Sequence, residues 1–358
     1  MGISGIGILF IVLGLFIVSG WEKRLEVAIL ENGFFDITRI EQYLLKKNSD
    51  TAAVSGTPYA EITNPSGFLN TEPLAIGDLV GKKVILVDFM TYSCINCQRT
   101  FPHLVAWYDR YKDEGLEIVA IHTPEFAFER DINNVRSALE RFGITYPVVL
   151  DNEYATWRAW GNQYWPRKYL IDINGTVVYD HIGEGEYEET EMKIRELLAQ
   201  RADVLGLTVG DTGALASEAI EQTNSEARSP ETYFGSLRNE YLGNGARGRG
   251  GEQTFVTPND LLPNTLYLGG VWNMAEEYAE AVSRASVSYR YYAKQVHIVA
   301  EAAVPADIEV WQDGVMIKTI QVQASTLYTL VDDQVAGEHT LELRIQGPGV
   351  RLFAFTFG

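Results

Sequence analysis

Cysteine is nearly absent from this sequence. Two occur in 358 residues, Cys94 and Cys97, three positions apart. Two thiols cannot build a disulfide framework, and they fall short of the four ligands of a zinc ribbon. Histidine is almost as scarce, and His103, His122, His181, His297 and His339 are scattered without ligand-like spacing. A metal clip of Cys94, Cys97 and His103 would have no further ligand to draw on, so no metal or cofactor is expected. Positive charge is short as well. Against 48 acidic residues stand 29 Lys and Arg, a formal net charge of −19. Such a chain repels phosphate, which argues against nucleic acid as a partner.

Charge is missing altogether from residues 1–21, and residues 3–18 (ISGIGILFIVLGLFIV) are nearly all apolar. At about 1.5 Å per residue, such a run is just long enough to span a bilayer. Residues 3–20 are therefore expected to form one N-terminal transmembrane helix. A secretory signal peptide is the alternative, but the basic n-region and a small-x-small cleavage site are both lacking. Lys23 and Arg24 favour a cytoplasmic C-terminal side, although Glu22 and Glu26 interleave with them.

The rest divides by pattern. Residues 21–59 read as a tether. Residues 60–201 alternate between element types: strands at 84–89 (VILVDF), 116–122 (LEIVAIH) and 147–150, and helices at 97–111, 131–142, 154–160 and 187–201. Strands at 169–173 and 176–181 flank Asn174-Gly175, a hairpin signal. That order implies a mixed sheet with helices on both faces. Residues 202–230 hold no aromatic ring and read as a linker, with one helical turn near 214–221. The Gly/Arg segment at 243–251 (GNGARGRGG) reads as a mobile loop. Short alternating runs at 287–293, 295–300, 308–312, 315–322, 326–330, 339–345 and 351–357 predict an all-β sandwich over 231–358, with Asp313-Gly314 as a hairpin turn.

The chemistry concentrates at residues 87–104, VDFMTYSCINCQRTFPHL. The cysteines follow an apolar strand and open a helix. Free N–H groups and the dipole at a helix N-terminus stabilise a thiolate, and only the thiolate attacks a disulfide. Cys97, one turn further in, can resolve the mixed disulfide by attacking Cys94. An inert pair, or a fixed local disulfide closing so short a loop, would constrain the unfolded chain little.

These residues resemble the thioredoxin-like fold, and within it the membrane-tethered thiol–disulfide oxidoreductases of cytochrome c maturation. The resemblance implies that Asp88, six residues before Cys94, moves the proton of the inner cysteine. It also implies that Pro102 kinks the active-site helix and that Pro166, after Trp165, is a cis-proline beside the disulfide. Longer stretches, TYSCINCQRTFPHL, HTPEFAFE, FGITYPVVLDNEYATWRAWGN, YWPRKYLID and YDHIGEGEYEETE, resemble the thioredoxin-like (TlpA/AhpC-TSA-like) domain of DipZ-type proteins. In those, a multi-helix CcdA/DsbD-like electron-transfer domain precedes the soluble part. A carbohydrate-binding-module-like (jelly-roll) sandwich ends them, which the SPETYFG opening and the late strands resemble. Ser93 stands where most thioredoxins carry Trp, and Ile95-Asn96 replaces Gly-Pro, so the motif does not reveal the redox potential. The absence of a histidine between the cysteines tilts toward a reductant.

Three function classes follow. The first is an extracytoplasmic, membrane-anchored thiol–disulfide oxidoreductase working through a Cys94–Cys97 redox disulfide. It would act on disulfide-containing proteins and draw electrons from a CcdA/DsbD-like membrane donor. The second is a thiol peroxidase, because Thr91-x-x-Cys94 resembles the peroxiredoxin site, although Val87 occupies that motif's proline position. The third is a binding module with an inactive CxxC, its sandwich taking a glycan or peptide through Tyr289, Tyr291, Tyr292, Trp311, Tyr328 or Phe353. Alternating rings are more often core. His122, Glu125 and His181 follow strands and border the same region as structural or loop residues.

Overall fold

The structure, a computed structural model, describes residues 56–208, 213–220 and 227–358. The expected membrane helix lies outside the described residues, as does most of the expected tether. Among the described residues no helix is long and apolar enough to cross a membrane.

The N-terminal half is built on a seven-stranded sheet. Its strands are β1 (Thr57–Pro58), β2 (Gly67–Leu69), β3 (Val84–Met90), β4 (Leu116–His122), β5 (Val148–Leu150), β6 (Arg167–Ile171) and β7 (Thr176–Ile182), in spatial order β1-β7-β6-β3-β4-β5-β2. β3, β4 and β5 run parallel, and β6 joins β3 antiparallel. Four helices cover it: α1 (Ile95–Tyr111), α2 (Ile132–Phe142), α3 (Ala155–Ala159) and α4 (Tyr187–Leu205). This is the α/β domain that the alternating pattern predicts. Pairing already starts at Thr57, opposite Val177, so the sheet reaches back into the expected tether.

All seven residues of β3 are buried, because helices cover both faces. Val84, Leu86 and Met90 join the core under α1, α2 and α4, whereas Ile85, Val87 and Phe89 join the opposite core with Trp157 and Trp160. Burying each such side chain stabilises by about 1.5–3 kcal/mol. Asp88 has the parity of Leu86 and Met90, which places it on the α1 side of the sheet.

Local chemistry sets the ends. Asp131 caps α2 by accepting from the Asn133 N–H at 2.8 Å, and Gly143 ends it at φ 66°. β6 begins and ends two residues earlier than the sequence pattern implies. Asp172, instead of extending it, accepts from the N–H groups of Asn174 and Thr176 and so folds the turn. α4 runs four residues past its expected end, to Leu205, before Gly206 stops it. Part of the expected linker is packed. The 3₁₀ turn Ser217–Ala219 docks on the buried Glu191 carboxylate, which accepts from the Ala216 and Ser217 N–H groups, Trp107 Nε1 and Tyr111 OH.

The C-terminal half is all-β: β8 (Thr232–Tyr233), β9 (Gly251–Phe255), β10 (Leu266–Met274), β11 (Ala279–Ala302), β12 (Ala306–Gln312), β13 (Val315–Val322), β14 (Thr326–Ile345) and β15 (Val350–Phe357). Where the pattern suggests separate short strands, β11 and β14 are continuous through bulges near Ala293/Gln295 and Val296/His297. Bulges bend and twist a strand without ending it. β15 pairs with both ends of β11, so one sheet folds over onto itself. The Gly/Arg loop is held, because Asn244 Nδ2 donates to Leu268 O at 2.6 Å and its Oδ1 accepts the Leu268 N–H.

The two halves meet through an aromatic cluster. Phe126 and Phe128, from the segment after β4, pack on Phe353 of β15 at ring distances of 5.1 and 4.9 Å. Polar contacts flank it: Tyr92 OH donates to Ser325 O, Arg99 to Gln295, Arg141 to Thr326, and the Ala127 N–H to Glu277.

Candidate active site

Helix α1 opens at Cys94, its N-cap residue, in extended backbone conformation (φ −74°, ψ 123°). No side chain caps this end, so the first N–H groups of the helix stay open at the residue that carries the Cys94 sulfur. Cys94 is half-buried and Cys97 fully buried, and both are free thiols. The Cys97 thiol hydrogen-bonds to Cys94, and burial pushes it well above its usual range. Pro102 lies inside α1 on its exposed face.

Asp88 is wholly buried beneath this pair, with no hydrogen-bond partner on either carboxylate oxygen. Burial pushes it up to about 7, against the pull of the Lys168 charge. Register explains that pull, because Asp88 stands directly opposite Lys168 on β6. Lys168 is itself fully buried, its ammonium donating to Gly183 O at 3.0 Å. Burial lowers its pKa while Asp88, Cys97 and Glu184 hold it up. Pro166 precedes β6, and the Trp165-Pro166 bond is cis. Trp165 and Cys94 are both partly buried against the large core that contains Cys97. Asp88, Cys94 and Cys97 thus come together, with Trp165 at the edge of that core.

Two further buried residues beside the site carry no plain mark in the sequence pattern. Lys168 looks like an ordinary polar residue in a strand, and only the β3–β6 register reveals its partner. Its signal was its parity: it shares a face with the core residue Leu170. Glu129 lies in HTPEFAFE, where nothing in the local pattern marks it as buried. It is fully buried, and its carboxylate accepts from Thr91, Ser93, Glu125 and Phe126. His122 is buried against Tyr92, with rings 5.7 Å apart, and burial lowers its pKa to about 3, so it is neutral. His181 contacts Glu184 O, and Glu125 lies at the junction, accepting from Tyr233 and Arg238. In the β half, Tyr289, Tyr291 and Phe353 are core. Arg344 covers the Trp311 ring and Arg228 the Tyr292 ring.

Comparison with known proteins bears on this geometry. A family model described as Redoxin matches residues 55–198, and one described as Thioredoxin like C-terminal domain matches residues 229–358. The thiol-disulfide oxidoreductase ResA of Halalkalibacterium halodurans is 32% identical over 136 residues, covering 37% of this chain and 72% of ResA. The chain belongs to the thioredoxin-like thiol–disulfide oxidoreductases. Thiol-disulfide oxidoreductase YkuV of Bacillus subtilis is 28% identical over 143 residues, 40% of this chain and 95% of YkuV. Protein DipZ of Mycobacterium bovis is 39% identical over 301 residues, covering 82% of this chain. The chain spans 42% of the length of that longer relative.

Proposed function

We propose that this oxidoreductase reduces disulfides in extracytoplasmic proteins, with Cys94 as nucleophile and Cys97 as resolving thiol. The observation that carries the reading is the asymmetry of the pair: one thiol half-exposed at a helix mouth, the other fully buried a turn away above Asp88. The Cys94 thiolate attacks one sulfur of a substrate disulfide. That S–S bond breaks, and the departing sulfur takes up a proton. Cys97 then gives its proton to Asp88 and attacks the Cys94 sulfur. The mixed disulfide breaks, and the second substrate sulfur leaves and is protonated. The substrate gains two electrons and two protons, and the chain holds a Cys94–Cys97 disulfide.

An Asp88 titrating near 7 suits this exchange, because it can accept a proton at neutral pH and return it. On this reading Trp165-Pro166 forms the wall beside the dithiol that the resemblance implies. Regeneration requires a dithiol donor, for which a CcdA/DsbD-like membrane partner fits. The charge-free N-terminal run would tether the chain beside it, with the folded domains on the extracytoplasmic side. The resemblance of the β half to carbohydrate-binding modules makes it a candidate for glycan or peptide contact. Against the peroxidase alternative, the Thr91 hydroxyl spends its one proton on Glu129.

The decisive experiment is Cys97→Ser expressed in cells, followed by non-reducing electrophoresis. Mixed disulfides with partner proteins are expected, and they vanish in the Cys94→Ser/Cys97→Ser double variant. Absence of adducts, together with failure of the native dithiol to reduce a test disulfide, sinks the proposal. The reduction potential fixes the direction: a value near thioredoxin's supports a reductase, and one near a periplasmic oxidant's reverses it.

A further inference from the structure

We propose that Glu129 is the positioning residue for Cys94, and that it relays the docking of the β half to the turn that carries this nucleophile. The two oxygens of this fully buried carboxylate serve two different segments. Oε1 accepts from Thr91 Oγ1, from the Ser93 N–H at 3.2 Å and from Ser93 Oγ at 2.7 Å. These residues are the last steps of backbone before Cys94. Oε2 accepts from the N–H groups of Glu125 at 2.6 Å and Phe126 at 3.0 Å. Burial pushes the Glu129 carboxyl up, and hydrogen bonds from Thr91, Ser93 and Phe126 work against it. Three of the five donors are backbone N–H groups, which can only donate, so they favour acceptor oxygens here.

The Glu125–Phe126 side is also where the β half docks. Phe126 and Phe128 pack on Phe353, the Ala127 N–H donates to Glu277 at 2.8 Å, and Glu125 accepts from Tyr233 and Arg238. Tyr92, between Thr91 and Ser93, is fixed to Ser325 O. The nucleophile turn is therefore braced twice against the β half, once directly and once through Glu129. A side chain one methylene shorter cannot hold both segments at these distances, and an amide must point N–H groups at N–H groups.

This inference rests on the reading of Cys94 as nucleophile. The test uses the whole chain in detergent, with iodoacetamide alkylation of Cys94 followed across pH and with reduction of a small aromatic disulfide. Glu129→Asp and Glu129→Gln are both expected to move the alkylation midpoint and to slow disulfide reduction by about tenfold or more. Circular dichroism should show retained fold. Ser93→Ala, which removes one donor, moves the midpoint less. Phe128→Ala, which loosens the dock but leaves the Glu129 contacts, moves it too. An Asp variant behaving as native while Gln does not would mean that charge alone matters, and would overturn the positioning role. Unshifted profiles in folded variants would overturn it as well. If the Glu129 variants do not fold, an unshifted Ser93→Ala overturns it. An unshifted Phe128→Ala removes the relay. Failure of the native chain to reduce any disulfide defeats the proposed function instead, while the Cys94 titration still reports on Glu129.

Discussion

Asp88 and Lys168 stand directly opposite each other on antiparallel strands, both wholly buried, and the Asp88 carboxylate has no hydrogen-bond partner. Two opposite charges in one dry site hold each other in the charged form, and burial works against both. The outcome is an acid pushed up to about 7 beside the buried Cys97 thiol.

Replacing Lys168 with Met should raise Asp88 further, because the ammonium is the group that holds it down. Tyr146 and Cys97 also face Asp88, and neither supplies positive charge. On the proposed mechanism the resolving step uses the Asp88 carboxylate, so its rate should rise with pH through the Asp88 titration. In Lys168→Met that midpoint moves to more alkaline pH and the rate at neutral pH falls. Stopped-flow measurement of mixed-disulfide resolution across pH checks this, and an unmoved midpoint contradicts it. Thermal stability at neutral pH should fall, since removing one partner of a buried pair leaves the Asp88 carboxylate uncompensated until it takes up a proton.

In the reduced protein, iodoacetamide should label Cys94 faster than Cys97 by at least about tenfold, because reactivity follows exposure and thiolate fraction. Cys97 is fully buried and its thiol is pushed up, while Cys94 is half-exposed. Mass spectrometry after brief labelling measures the ratio, and equal labelling contradicts the division of roles.

Much of this site was legible because its logic is local. The spacing of Asp88, Cys94 and Cys97 along one strand–turn–helix unit is visible in a single line of sequence, and β4 falls on its expected bounds. Lys168 and Glu129 were not legible, since each acquires its meaning from a partner in another segment. A lysine in YWPRKYLI and a glutamate in HTPEFAFE carry no sign of burial until register and packing are known. The long strands of the β half escaped for a similar reason. A bulge at Ala293/Gln295 interrupts alternation in the sequence, but the hydrogen-bonded strand continues past it.

Glu191 offers a pH-dependent test of the packed linker. Hydrogen bonds from Ser217, Tyr111 and the Ala216 N–H hold its pKa below the usual value of 4.5 despite burial. A carboxylate depressed in the folded state contributes stability that is fully present above its unfolded pKa and is lost as pH falls through the folded one. Glu191→Gln should therefore destabilise by about 2–4 kcal/mol at neutral pH, given about 1.5–3 kcal/mol for a hydrogen bond to a charged group. The gap between variant and native protein should close as pH drops below about 4.5. Urea unfolding at neutral and acidic pH measures it, and a gap constant with pH contradicts the assignment.

Phe353→Ala tests whether the two halves unfold as one. Its ring packs on Phe126, Phe128 and Tyr278, and is almost fully buried. Truncating a buried Phe costs about 3–5 kcal/mol through lost transfer energy and the cavity left behind. Here the cavity opens at the junction, so the loss falls on the docking of one half against the other. Scanning calorimetry should resolve two transitions in the variant where the native chain shows closer coupling. Alkylation of Cys94 in the same variant should shift as well, because Phe126 and Phe128 lie on the segment that Glu129 ties to Ser93. A single cooperative transition with unchanged Cys94 chemistry would show that the aromatic cluster joins the halves without linking them energetically.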